Sequence, residues 1–197
     1  MMASAFQLMW SGYVFLFDLR VWGFDVLPDV LGYLLIAAGL RRVSHLNDRF
    51  AKAARLAPIA ALVSLADFYE PVRSGSSALM LTGPSFRTPV GAVLTVAGIG
   101  VIALNLLMTW HLVGGLLQLA LDRGDEEIAD RSATLWSEYK GVHILLMVVW
   151  PLAALAPAVG WLAPLAQLSV GIVAYLSMMV FLRQARHAFG ESTGKAG

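Results

Sequence analysis

Long apolar runs separated by short polar clusters dominate this chain. They predict six helices, at about 4–18, 28–44, 52–69, 89–121, 132–156 and 160–187. The clearest runs, 90–110, 142–161 and 162–182, reach the roughly 20 residues a helix needs to cross about 30 Å of hydrocarbon. Pro28, Pro89 and the Pro157/Gly160 pair fall at the ends of runs, where proline costs little. Pro58, Pro151 and Pro164 lie inside runs and predict kinks or helix starts. The stretch EPVRSGSSALMLTGPSFRTP, rich in Gly, Ser and Pro, reads as a loop that folds back over the bundle. The opening run MMASAFQLMWSGYVFLF has no basic leader and is followed by an aspartate rather than a small-residue cleavage site, so it reads as a retained first helix.

Composition turns these runs into a class. Hydrophobic residues are 58% of the chain and charged residues 14%, against about 25% charged in ordinary soluble domains. The reading is an all-α integral membrane bundle of about six transmembrane helices. Residues 1–187 form one domain and 188–197 a flexible tail. The absence of cysteine excludes disulfides, thiolate metal sites and cysteine nucleophiles.

The net charge of +1 hides an asymmetry. Eleven of the 14 basic residues fall after the second helix, after the fourth, or in the tail, and only Arg20, Arg73 and Arg87 fall on the other side. Short loops rich in Lys and Arg stay cytoplasmic, so both termini are predicted to be cytoplasmic.

That orientation puts FDLRVWGFDVLPDVLGYLL on the outer side. Asp29 lies 12 residues before Arg41, and Asp67 lies 12 residues after Arg55. At about 1.5 Å per residue, both carboxylates stand roughly 18 Å from the inner interface, at matching depth on consecutive helices. An unpaired charge so deep costs at least about 2.5–3.5 kcal/mol, so these groups should face water, a partner or the bundle interior. Asp18, Asp25, Asp29, Asp67 and Glu70 oppose the three outer arginines, with Arg20 the nearest cation. Pro28 suits the first helical position and Asp29 the first turn, while Gly23 and Gly32 permit close approach. The plain alternative is that Asp25 and Asp29 terminate a helix and Arg20 completes a structural ion pair.

GFDVLPDVLGYLLIAAGL resembles a segment of small, uncharacterised bacterial multi-pass membrane proteins with a GFD, LPD, GY pattern, here Gly23, Phe24, Asp25, Leu27, Pro28, Asp29, Gly32 and Tyr33. The resemblance covers the first quarter of the chain. It implies a bacterial membrane protein and supplies no activity; the expected location is the inner membrane, as a multi-pass protein.

Other polar residues extend or compete with this site. Asn105 is the candidate to carry the polar site inward; Thr109, Gln118, Gln167, Ser169, Tyr175 and Ser177 are expected to hydrogen-bond between helices. His111 and His143 each lie 16 residues from a loop centre near 127, which would put them at one level as a weak metal or haem candidate. Trp110, Trp136, Tyr139 and Lys140 mark that level as the inner interface, where histidine is ordinary. The five acids from Asp122 to Asp130 read as a solvated hairpin or, more sharply, a docking surface. No Walker loop, dinucleotide glycine pattern, HExxH or GxSxG occurs, and nothing points to nucleic acid or to a cofactor.

The function these residues predict is passage or coupled transport of a proton, cation or small polar solute through an outward acidic site. A non-catalytic subunit recruiting membrane or cytoplasmic partners through its hairpin is the alternative. An enzyme using Asp25 and Asp29 on a lipid-linked substrate is the third reading.

Overall fold

The computed structural model describes residues 2–16, 20–21, 24–25, 29–65, 86–156, 158, 162, 165–166 and 171–190. Among them are six α-helices: α1 (Met2–Phe15), α2 (Asp29–Val43), α3 (Asp48–Ser64), α4 (Pro89–Arg123), α5 (Glu126–Leu155) and α6 (Leu176–Gly190). A π-helical turn, Gly171–Tyr175, leads into α6. Between α1 and α2, β1 (Arg20–Val21) pairs antiparallel with β2 (Phe24–Asp25). This two-rung hairpin was not anticipated by the apolar pattern.

Local chemistry sets the helix ends. Asn47 caps α3 by accepting from the Arg49 amide at 2.7 Å, which starts the helix four residues before the predicted position 52. Thr88 caps α4 through the Gly91 amide at 3.0 Å, with Pro89 in the first turn, where its missing N–H is harmless. Asp125 caps α5 through the Ile128 amide at 3.1 Å, with Glu126 and Glu127 favoured by the helix dipole. α5 therefore begins six residues before the predicted 132. α3 and α5 run through Pro58 and Pro151, while Pro164 and the predicted loop up to residue 85 lie outside the described residues.

Gly124 closes α4 in the left-handed region, at φ 70°. A Cβ there would touch nothing, so its cost is backbone strain alone. Gly124→Ala is expected to lower stability by about 1 kcal/mol in detergent unfolding.

Helices adjacent in the chain pack on one another wherever both are described, and α6 returns against α1. The contacts show that packed neighbours run antiparallel: Gly12 meets Gly32 while Gly39 meets Ala5, and Arg49 meets Gly114 while Val63 meets Gly100. Trp110 stacks on Trp136, and Gly98 meets Trp150. The start of α1 and the ends of α4 and α6 come together where Arg123 reaches Met2 Sδ and lies 5.0 Å from the centre of the Phe189 ring.

This alternation exposes a consistent boundary on five helices. The exposed face changes from apolar to polar between Leu34 and Arg41 on α2, Ile59 and Arg55 on α3, Ile144 and Lys140 on α5, and Val180 and Arg183 on α6, and on α4 between Trp110 and Asp122, with Gln118 and Leu121 both exposed in that interval. All the charged ends share one side of the bundle. On the other side Leu31, Leu62, Val93, Val148, Leu152, Ile172 and Val173 remain exposed. A soluble monomer rarely leaves so continuous an apolar surface open.

Two helices, α4 and α5, are long and apolar enough to cross a membrane. Only 11% of the apolar window of α4 is buried, which separates it from the core helix of a soluble protein. At 35 residues α4 is about 52 Å long. Its last turns and the first turns of α5 therefore stand beyond the apolar zone as a polar hairpin.

Candidate functional site

Inside the bundle the polar groups converge on aromatic rings. Tyr13 of α1, Tyr139 of α5 and Tyr175 of the π turn hydrogen-bond to Asn105 and Thr109 of α4, and Tyr33 of α2 is buried in the same core. Tyr13, Tyr33 and Tyr139 are each at most 1% exposed, Asn105 is 2% exposed and Thr109 is fully buried. Buried hydroxyls and amides must find partners, because an unmade hydrogen bond in a dry interior costs more than a made one contributes.

Asn105 meets that demand on both sides of its amide. Its Oδ1 accepts from the Tyr139 hydroxyl at 2.9 Å, and its Nδ2 donates to the Tyr175 hydroxyl at 3.1 Å. One side chain thereby ties α4 to α5 and to the π turn. The Tyr13 hydroxyl and Thr109 Oγ1 lie 3.3 Å apart, joining α1 to α4. The Tyr13 and Tyr175 rings, 6.0 Å apart at 55°, close the cluster. Asn47 also donates to Gln118, so Asn105, Thr109, Gln118 and Tyr175 all make hydrogen bonds between elements. Gln167 and Ser169 lie outside the described residues.

His143 borders the cluster. Its ring stacks on that of Tyr139 at 4.0 Å, and its Nδ1 lies 2.9 Å from the Tyr139 carbonyl oxygen. A carbonyl only accepts, so Nδ1 carries the proton in this arrangement. His111 sits elsewhere, beside Arg49 and Lys52 of α3. The Trp110–Trp136 contact puts His111 level with about residue 135, so His143 is roughly eight residues, about 12 Å, deeper. The predicted equal level of the two histidines is thus corrected: α5 starts at Glu126, close behind α4, and shifts the register. Among the described residues no three His, Asp or Glu side chains gather as a metal site. Tyr139, expected at the interface beside Trp136, instead turns into the core at 1% exposure.

Of the acidic residues, Asp29 opens α2 and is half-buried, with its Oδ1 closed off from solvent. Tyr33 follows one turn later, so the two side chains lie on the same face of α2. Asp29 is thereby adjacent to the tyrosine cluster. Arg20 and Asp25 face each other as backbone partners in the hairpin that precedes it. Asp18, Asp67 and Glu70 lie outside the described residues, so the Asp29–Asp67 pairing has no geometry to report.

Tyr13, Tyr33 and Tyr139 were not singled out as site residues by sequence reasoning. The available signal was tyrosine at the buried positions of apolar helices, where a hydroxyl requires a partner; the sequence pattern does not say which.

Comparison with known proteins adds no relative: no family model, no curated protein and no solved structure matches the chain. The arrangement itself is an oxygen-rich, uncharged cluster of phenols, an amide and a hydroxyl, with one carboxylate beside it. Such a set can exchange hydrogen bonds with a proton carrier, solvate a hard cation or hold a small polar solute.

Proposed function

We propose that this chain is a multi-pass protein of a bacterial inner membrane, with both termini cytoplasmic, that passes a proton, small cation or small polar solute through Asp29 and the tyrosine–asparagine cluster. The membrane placement is supported by the apolar-to-polar change toward one end of five helices and by the two long apolar helices. The passage reading rests on one observation: the half-buried Asp29 stands one helical turn from Tyr33, which is buried in the core that holds the polar cluster. Asp29 is the entry carboxylate in this reading, and the cluster replaces lost hydration beneath it.

The test is flux in proteoliposomes driven by a pH or cation gradient. Wild type is expected to give pH-dependent uptake, and Asp29→Asn, which keeps size and helix-start character, to reduce it to the rate of empty vesicles. Equal flux in the two proteins would remove the proposal.

A second reading has its own support. Asp122, Glu126, Glu127, Asp130 and Glu138 are exposed on the hairpin beyond the apolar zone, where a partner could dock. In this scaffold role a stoichiometric partner would co-purify and be lost on Glu126→Gln with Glu127→Gln. Asp125→Asn can be added because asparagine retains the cap on α5.

A further inference from the structure

We propose that Arg49, Lys52 and His111 form a site for the phosphate of an anionic phospholipid headgroup, at the charged-side boundary between α3 and α4.

The geometry begins with two glycines. Phe50 packs on Gly115, and Arg49 lies so close to Gly114 that a Cβ added there would overlap its guanidinium. The guanidinium carbon stands 5.7 Å from the centre of the Trp110 ring, a cation–π distance. This holds a long, flexible side chain in one place. Among the described residues no carboxylate pairs with Arg49. Beside it, His111 encloses an Nδ1 that has no hydrogen-bond partner among the described residues. Lys52 carries the second positive charge, and His111 contributes a neutral imidazole beside the two cations. Its Nζ lies 2.7 Å from Asp48 Oδ2, and that hydrogen bond holds the exposed Asp48 carboxyl below the usual carboxylate range. Asp48 is the local competitor for an anion, and it engages Lys52 rather than Arg49.

Position selects a lipid over free phosphate. His111 stands within the change on α4 from Gln118 to Trp110, and Arg49 and Lys52 lie one to two turns on the charged side of the change on α3 from Arg55 to Ile59. Trp110, 43% exposed and stacked on Trp136, is placed as an interfacial aromatic. A headgroup phosphate on Arg49 leaves its acyl chains to run along exposed Ile59 and Leu62 of α3 and Leu107 of α4. Arginine offers a phosphate two parallel donors, and a basic group at this depth meets the anionic leaflet surface. Ordinary positive-inside bias requires only that basic residues be numerous, whereas this site requires Arg49 to be held at Gly114.

The test uses full-length protein in neutral detergent with added phosphatidylglycerol or phosphatidylcholine. Native mass spectrometry would read bound lipid, and thermal unfolding would read stabilisation. Wild type is expected to retain phosphatidylglycerol selectively. Arg49→Gln should weaken that retention roughly tenfold, the scale of one lost charge-assisted contact. Gly114→Ala should weaken it as well, by displacing the guanidinium while leaving every charge in place and favouring the helix. Arg183→Gln on α6 makes the same change in net charge and should leave selectivity intact. Equal retention of the two lipids, or a loss with Arg183→Gln matching that with Arg49→Gln, would overturn the site. Equal stabilisation of wild type by inorganic phosphate would overturn the lipid assignment. The inference rests on the membrane placement but not on passage through Asp29. Failure of that placement would appear as retention of neither lipid, whereas failure of the flux assay would leave these readings unchanged.

Discussion

Gly39→Leu is expected to prevent stable assembly of the bundle, and Gly39→Ala to weaken it severely. A Cβ at Gly39 would lie 2.6 Å from the Ala5 carbonyl oxygen and 2.6 Å from Met9 Cγ. The methionine can rotate away, but the carbonyl belongs to the backbone of α1 and moves only if the helix moves. The same face repeats the constraint at Gly32, whose added Cβ would lie 2.8 Å from the Gly12 carbonyl oxygen. The α1–α2 interface is therefore pinned at two levels by backbone approach, and Ala5, Met9, Ile36 and Leu40 are fully buried in the core around it. Overpacking costs about 1–3 kcal/mol where side chains can yield, and more where they cannot. Gly39→Ala is placed at the top of that range and Gly39→Leu beyond it. Gly141 supplies the control. It lies within α5 with open space around its Cβ position, so Gly141→Ala should be neutral or stabilising by up to about 1 kcal/mol. Thermal unfolding of the three variants in one detergent checks the order. A Gly39→Leu protein that melts with wild type would show that α1 and α2 are not packed at this distance.

The helices were legible because the pattern registers burial directly, and Pro89 marks the start of α4, whereas α3 and α5 continue through Pro58 and Pro151. Each predicted run overlaps an observed helix. α3 and α5 start earlier than the apolar pattern predicts for one reason: both begin with charged residues, which carry no apolar signal. Ile128, Ser132, Leu135 and Tyr139 in fact repeat along one buried face of α5, at a helical period, from within its first turn. Trp136 and Tyr139, three residues apart, looked like one interfacial pair, but Trp136 is half-exposed and Tyr139 is in the core. Direction around a helix is set by the packing of its neighbours, and composition does not encode that. Gly32 was legible as a small residue permitting close approach, and a Cβ there would strike α1. The hairpin register and the convergence of four tyrosines from four segments required three-dimensional placement. Of the acidic residues, Asp29 can be located relative to that cluster, whereas the depth argument for Asp67 concerns a residue outside the described ones.

Asn105→Leu is expected to cost about 2–4 kcal/mol, one of the largest effects of any single polar position in the chain. Leucine nearly matches asparagine in shape but offers neither acceptor nor donor. The Tyr139 hydroxyl then loses its 2.9 Å acceptor and the Tyr175 hydroxyl its 3.1 Å donor. Two magnitudes compete here. Hydrogen bonds between membrane helices average only about 0.6 kcal/mol, because loosened groups find other partners. A buried polar group left with none costs about 1–3 kcal/mol. The second governs Tyr139, which is 1% exposed and whose other neighbours, Thr109 and Tyr13, already engage each other at 3.3 Å, so sharing them requires the cluster to rearrange. A double-mutant cycle tests this. In a Tyr139→Phe background, where the stranded hydroxyl is gone, Asn105→Leu should cost about 1 kcal/mol less than in wild type. Additive costs would mean that the amide and the phenol do not depend on each other. The same variant separates architecture from passage. If the cluster only holds α4, α5 and the π turn together, folded Asn105→Leu protein reconstituted at low temperature should carry the wild-type flux per molecule. If its oxygens replace the hydration of a passing ion, flux per folded molecule should fall at least tenfold while the Tyr139→Phe protein retains most of it, because Asn105 Oδ1 is then still present and freed from its donor.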